Sequence, residues 1–437
     1  MKLISNTIPD NKIEDIIPLL PLQKTLLYSM LSHPTSYRYY EQWQYTYRGP
    51  VDVAKMINAW RLTRKKFDLL RGVFHWEGIK EPVLIIFSDK SEKERIYDLT
   101  NKKVNPDNIA WEEWNDRVDI RTNPVRFAIV ILSDDHCEWI INSNHILFDG
   151  WSNAIIMNYL LQSYINLCSD LYKKDEIEVK YRECFLYAKK GFANNEHENF
   201  WEKYLDGYKP RDYEVIQKGK ENSRVLLPIE QELMDELYKL SINIGCSIPV
   251  ILYAGWALMT SIKRNCSEVL IGVTTSGRKL MSEKKAKETV GLLIGTVPMR
   301  VFLKPNIKIE RLLKEIQQDL LALEDHVFVD PLYLNKLVPD LNKIYSEILT
   351  IQNYPVNCSN NSIYSLTFHS SIYEPGAEIA TSIKTFMDRM DLEISYYSDI
   401  YSRKDIKNKF SLYFDILKKI TNQSNSTVKD VCESLNI

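Results

Sequence analysis

Apolar and polar positions along this chain alternate between two rhythms. Helical spacing runs through Pro21–Met30, where Leu22, Leu26, Leu27 and Met30 share a face, and again through Val53–Leu70, with Met56, Ile57, Trp60 and Leu62. Short uninterrupted apolar runs at Val83–Phe87 and Arg126–Leu132 predict buried strands, and Glu138–Ser143 predicts a third. A turn at His145–Gly150 follows. Ser152 then suits the cap of a helix carrying Ile155, Ile156, Tyr159, Leu160, Ile165 and Leu167, to about Leu171. Tyr172–Lys180 is charged, lacks periodicity and reads as a link. Beyond it the pattern predicts helices at Tyr181–Tyr187, Glu198–Leu205, Glu230–Ile244, Ile248–Ile262, Ile309–Leu323 and Lys407–Thr421. Strands are expected at Val269–Thr274, Val297–Leu303, Glu347–Gln352 and Leu392–Tyr397. Both halves mix helix and strand, so the fold class is α/β or α+β. No short-period repeat is present.

The 437 residues exceed what one core supports, since single cores stop growing at roughly 250–300 residues. Two lobes are therefore expected, 1–175 and 176–437. Charge is balanced: 56 Lys+Arg against 58 Asp+Glu, a net −2. The basic residues are scattered among acidic ones, as in 173–180, which describes solvated faces and excludes the footprint of a nucleic-acid binder. The seven cysteines (137, 168, 184, 246, 266, 358, 432) form no C-x-x-C pair. Neither a metal ribbon nor a disulfide framework is expected, and Cys168 and Cys184 read as buried thiols in a reducing, cytoplasmic setting. The first 20 residues are broken by Pro, Asp and Glu and do not form a signal peptide. No apolar run reaches the ~18 residues of a membrane span. Asn265-Cys266-Ser267 and Asn422-Gln423-Ser424 have the glycosylation pattern, which carries no meaning without secretion.

The chemistry concentrates in Asn144-His145-Ile146-Leu147-Phe148-Asp149-Gly150-Trp151-Ser152. A His ends an apolar strand, and an Asp-Gly pair precedes a helix. Such a His is held by rigid flanks and can face a cleft. A free imidazole titrates near ~6.5, so it can accept a proton at neutral pH. Asp149 lies across the turn and suits an ion pair that holds the loop. Gly150 permits a positive φ or a close backbone approach. A lone His at a strand end is more often a satisfied core residue, and the spacing alone is a moderate signal.

The motif NHILFDGWS resembles the H-H-x-x-x-D-G signature of the condensation domains of nonribosomal peptide synthetases, which share a fold with chloramphenicol acetyltransferase. The resemblance extends in order along nearly the whole chain. LLPLQKTLLYSM (19–30) resembles the family's opening S-x-x-Q-x-x-L-W, and KKFDLLRGVFHWEG (65–78) its R-H-x-x-L-R-T-x-F. YRECFLYAKK (181–190) resembles Y-x-D-F-A-x-W, and VGLLIGTVPMRV (290–301) resembles V-G-x-F-I-N-T-x-P-x-R-V. HVFVDPLYL (326–334) resembles H-x-x-x-P with one extra residue, and ILTIQNYP (348–355) resembles F-x-x-x-N-Y-P. Each match is loose, but six in order beside the His motif make coincidence a poor explanation.

The resemblance implies two acetyltransferase-like lobes in a V-shaped pseudo-dimer with the active site at their junction. It implies that His145 is the catalytic His. It deprotonates an incoming amine or steadies the tetrahedral intermediate. Asp149 is implied as a structural residue in a buried ion pair with Arg71, and Gly150 as lining the thioester approach. Asn144, Trp151, Ser152, Gly295, Gln352 and His369 are substrate-channel candidates, with Trp151 more often packing than contact. Two departures stand out. Asn144 replaces the first His of the family pair, and Gly295 replaces the Asn before Thr296. His326, in the lengthened segment, reads as helix-end packing.

By resemblance the donor arrives on the phosphopantetheine arm of an acyl or peptidyl carrier protein, and the acceptor is an amine or an alcohol. No bound cofactor, metal, nucleic acid or membrane partner is implied, and the family favours a monomer. No P-loop, adenylate-forming signature or further folded unit is visible, so a free-standing enzyme acting in trans is expected. The leading reading is amide formation. Ester formation and a catalytically silent carrier-docking module are the alternatives, the latter suggested by Asn144 and Gly295.

Overall fold

The computed structural model describes residues 12–34, 36, 38–89, 94–169, 178–209, 219, 221–279, 281–339, 341–352, 363–373, 377–385 and 389–435. Most of the 172–180 link, residues 353–355 of the ILTIQNYP segment and Cys358 lie outside them. The chain divides into two compact units. The first holds 1–193, 281–293 and 354–374, and the second holds 194–280, 294–353 and 375–437. The expected division at 175/176 differs from this. Helix Tyr181–Phe192 packs in the first unit, and two segments from the chain's second half return to it. Local periodicity carries no trace of such returns, because they are decided by long-range packing.

In the first unit a five-stranded sheet runs Ser365–Tyr373, Tyr40–Arg48, His136–Asn144, Val125–Ser133, Arg95–Asp98. The central hairpin joins Val125–Ser133 to His136–Asn144 through Asp134 and Asp135 alone. His136–Asn144 is flanked by strands on both edges and buried on both faces from Trp139 onward; its apolar run is Trp139–Ile141, and the buried Asn142, Ser143 and Asn144 lead toward the His motif. Helix Val53–Lys66 begins where Asp52 accepts the Lys55 N–H, and buries Met56, Ala59 and Trp60. Trp60 packs on Phe127, ring centroids 5.1 Å apart. A smaller sheet, Ile13–Pro18, Val83–Phe87, Gly72–His75, completes the unit.

The helix after the His motif, Gly150–Cys168, is capped differently from expectation. Asp149 is its cap and accepts the Ser152 N–H, while Ser152 lies inside the first turn. Cys137, Cys184 and Cys246 are buried, whereas Cys168, at the helix end, is only half-buried.

The second unit builds on helix Ile248–Arg264, whose Val250–Thr260 stretch is buried on every side. Gly255 allows helix Arg403–Asn422 to approach: a Cβ there would lie 2.7 Å from Leu417 Cδ2. Four strands form its larger sheet, Glu347–Gln352, Ile379–Thr385, Met390–Tyr397, Asn222–Pro228, and Glu268–Thr275 pairs with Gly295–Phe302. No single helix among the described residues is long and apolar enough to cross a membrane.

Asp68 supplies a pH-dependent term to the first unit. Its buried carboxylate accepts the Tyr181 N–H at 2.8 Å, at the start of helix Tyr181–Phe192. Burial pushes its pKa up to about 6, against that hydrogen bond and the charges of Lys180 and Arg71. The folded value exceeds the unfolded one, so folding favours the protonated carboxyl relative to the unfolded chain. Its stabilisation is complete below about pH 3.9 and is lost as pH rises through about 6. Asp68→Asn mimics the protonated form. The variant is expected to match the native protein near pH 4 and to exceed it by on the order of 2–3 kcal/mol above pH 7 in urea unfolding. A difference independent of pH would refute this role.

Candidate functional site

His145 is the first residue beyond the central strand His136–Asn144. Three bonds from backbone N–H groups, two to carbonyls and one to a side chain, fix the turn it begins. Its N–H donates to the Tyr39 carbonyl at 2.7 Å, and the Leu147 N–H donates to the Asn144 carbonyl at 2.9 Å. The Ile146 N–H donates to the Asn144 side chain at 3.1 Å. Asn144 therefore caps the turn, and its amide also meets Met30 Sδ at 3.2 Å. Asn144 thus serves this turn at the position where the resemblance leads one to expect a His: its side chain shapes the loop backbone.

The ring is oriented by its own loop. His145 Nδ1 lies 2.9 Å from the Phe148 carbonyl oxygen. A carbonyl can only accept, so the neutral ring carries its proton on Nδ1 and leaves Nε2 with a bare lone pair. Among the described residues nothing hydrogen-bonds Nε2, and the side chain keeps 17 % of its exposure. Glu41 Oε2 lies 3.8 Å from Nδ1. The result is a half-buried imidazole with one nitrogen tied down and the other ready to take a proton.

Asp149 is fully buried. Its Oδ1 accepts the Ser152 N–H at 2.9 Å and lies 2.8 Å from the Ser152 hydroxyl, and its Oδ2 accepts the Leu293 N–H at 3.0 Å. Ser152 Oγ also accepts the Gly291 N–H at 3.0 Å and sits 2.9 Å from the Gly291 carbonyl. A Cβ on Gly291 would stand 2.5 Å from Cys184 Sγ, so only glycine fits this crossing. Asp149 and Ser152 thus bind the returning 281–293 segment to the His loop.

The expected Arg71–Asp149 ion pair is not formed. Arg71 donates to the Arg64, Lys65 and Phe87 carbonyls and to Glu14 Oε2 at 3.0 Å. It closes the C-terminal end of helix Val53–Lys66, where free carbonyls attract a guanidinium. Glu14 is correspondingly held below the ordinary carboxylate range by Lys180 and Arg71, which outweigh its partial burial.

The other candidates are structural or stand apart. Gly150 opens the helix without a positive φ. Trp151 is half-buried and its indole N–H donates to the Ala286 carbonyl at 3.1 Å. Ser152 is buried in the network above. Gln352 ends its strand with a bond to Ser382 Oγ at 3.2 Å. His369 is exposed, at the irregularity between Phe368 and Ser370 where the ladder to Tyr40–Arg48 shifts register. His326 packs flat on Phe200, centroids 3.9 Å apart, with its Nδ1 2.9 Å from His197 Nδ1. Burial depresses both imidazoles, which suits packing.

Gly295 has a steric reason. A Cβ there would collide with Val327 Cγ2, in the segment that carries the extra residue. Val327 occupies the room an Asn side chain would need. Gly295→Asn is expected to destabilise the protein by about 1–3 kcal/mol through overpacking, and Val327→Ala is expected to restore part of that loss. Additive effects in thermal unfolding of the double variant would contradict this coupling.

Neither Glu41 nor Gly291 carries a local signal in the sequence. The strand containing Glu41 has polar residues on buried faces, and Gly291 acts from 139 positions beyond its partner Ser152.

A family model described as "Condensation domain" matches residues 13–433. A linear gramicidin synthase of Brevibacillus parabrevis is 25% identical over 94% of this chain, which spans 8% of that protein. Surfactin synthase subunit 3 of Bacillus subtilis (strain 168) is 24% identical over 80% of the chain, a match covering 28% of that protein. Among solved structures, the first condensation domain of the CDA synthetase matches with a TM-score of 0.78 at 15% identity, over 95% of this chain and 98% of that one. The condensation domain from Monacolin K polyketide synthase MokA matches with a TM-score of 0.80 at 13% identity, over 96% and 100%.

Proposed function

The chain belongs to the condensation-domain family, and on that premise we propose that it transfers an acyl group from a carrier-bound thioester to an amine, forming an amide. The observation that carries this reading is the His145 ring, with its proton fixed on Nδ1 by Phe148 and a bare Nε2. In the step that follows, the amine nitrogen attacks the thioester carbonyl carbon as its proton passes to Nε2. The tetrahedral intermediate then collapses, the C–S bond breaks, and the proton held on Nε2 passes to the departing sulfur, which leaves as the thiol and returns His145 to its neutral form. A base of this kind contributes typically 10²–10⁴-fold. Holding both reactants together supplies much of the remainder. Neither a covalent acyl-enzyme nor a bound cofactor is part of this reading, and the donor comes on the phosphopantetheine arm of a carrier protein. The silent docking alternative loses its motivation, since Asn144 and Gly295 both have local structural reasons.

The test presents the protein with acyl thioesters loaded on separate carrier proteins and with a panel of amines and alcohols, and reads products by mass spectrometry. Amide is the expected product. Ester alone would reassign the acceptor to an alcohol. Carrier binding without product from any donor would sink the catalytic reading in favour of docking.

A further inference from the structure

The His145 corner contains an acid that the reaction above does not use. Glu41 is the second residue of strand Tyr40–Arg48 and pairs across the ladder with Ser143, two residues before His145. Its side chain is 8 % exposed, and its Oε2 lies 3.8 Å from His145 Nδ1. The corner is held against strain. Tyr39, just before this strand, has φ +63°, a left-handed conformation costly for a bulky residue. The same Tyr39 carbonyl takes the His145 N–H at 2.7 Å. Backbone strain is thus maintained where strand register delivers a carboxylate to the ring.

Nδ1 already donates to the nearer Phe148 oxygen, so Glu41 does not set the tautomer. Its influence is one of charge. When Nε2 takes a proton the ring becomes a cation, and an anion 3.8 Å away in a mostly buried setting favours that state far more than it would in open water. We propose that Glu41 is a positioning residue whose carboxylate steadies the positive charge His145 acquires as it removes the proton of the acceptor. This rests on the general-base reading of His145 given above.

A crossed pair of substitutions separates charge from shape. Glu41→Gln keeps the shape and removes the charge, whereas Glu41→Asp keeps the charge and shortens the arm. The Gln variant is expected to lose about 10–100-fold in kcat with KM little changed, and the Asp variant to stay within a few-fold of native. Both should melt within a few degrees of the native protein. A purely structural glutamate reverses the order, with Gln tolerated and Asp impaired, and that result overturns the inference, as does native kcat in the Gln variant. A second readout needs no turnover. Carbethoxylation of His145 by diethyl pyrocarbonate, at a pH high enough for the ring to be neutral in all three proteins and followed by peptide mapping, develops positive charge on the ring and should slow several-fold in the Gln variant and not in the Asp variant. Equal rates in all three proteins would overturn the role of Glu41 whether or not the native protein makes amide. A protein that makes no amide yet shows the rate difference would keep the role of Glu41 and lose only the amide-forming reading.

Discussion

Replacing His145 by alanine is expected to lower kcat on the order of 10²–10⁴-fold, while KM for the carrier-bound donor stays within a few-fold. Two features give this prediction its shape. The Nε2 lone pair is the one group in the motif placed to take a proton, since Asn144, Asp149, Trp151 and Ser152 all spend their polar atoms on protein partners. The turn itself does not depend on the ring. The His145, Ile146 and Leu147 N–H groups are held by the Tyr39 carbonyl and by Asn144. An alanine therefore leaves the loop standing and removes only the base, and the melting temperature should change by a few degrees at most. Single-turnover rates with a loaded carrier protein check this directly. If the alanine variant keeps native kcat within about threefold, proton transfer is not limiting and the reaction runs on proximity alone.

The parts of this arrangement differ in how plainly they can be read from the chain. Elements whose apolar residues follow one local rhythm are evident in it, among them Val53–Lys66, Val83–Phe87 and Ile248–Arg264. Tyr40–Arg48 is hidden although it lies beside the central strand. Its Trp43, Tyr45 and Tyr47 are buried as expected of one face, but Gln42 and Gln44 are buried as well. Gln42 donates to the Ala110 carbonyl and to Asn142 Oδ1, both at 2.9 Å, and Gln44 donates to Gln42 Oε1. Polar residues that are satisfied only by distant partners look like surface until the partners are in place.

Helix Pro106–Asn115 belongs to the same network. It carries the fully buried Glu113, which accepts from Arg126 Nε at 2.8 Å and from Asn142 at 3.0 Å. Asn105 caps its start and Pro106 stands in the first turn, but the helix is absent from the apolar pattern along the chain. The register of Ser365–Tyr373 against Tyr40–Arg48, and the crossing of Gly291 with Ser152, arise from long-range packing. For the same reason the motif does not reveal what holds Asp149: the expected Arg71 is taken up by Glu14 and by the Arg64, Lys65 and Phe87 carbonyls, and the carboxylate meets Ser152 and Leu293 instead.

Asp149→Ala is expected to destabilise the first unit by about 3–5 kcal/mol, because it strands several buried donors at once. The carboxylate takes the Ser152 N–H, the nearby Ser152 hydroxyl and the Leu293 N–H, so its loss uncaps helix Gly150–Cys168 and frees the 281–293 segment together. Asparagine keeps one acceptor oxygen and turns the other into a donor. With Oδ1 still capping the helix, its NH₂ must face the Leu293 N–H. Asp149→Asn should therefore cost less, about 1–3 kcal/mol, and fold. The asparagine variant is also the more informative one for catalysis. Phe148, whose carbonyl holds the His145 proton on Nδ1, is the residue immediately before Asp149. Loosening Asp149 lets that carbonyl drift, and a ring free to place its proton on Nε2 is no longer a base. kcat should fall 10-fold or more in a protein that is still folded, with thermal unfolding and rate measured on the same sample. An asparagine variant with lowered stability and native kcat would separate the two roles. It would show that the Asp149 network binds the returning segment without controlling His145.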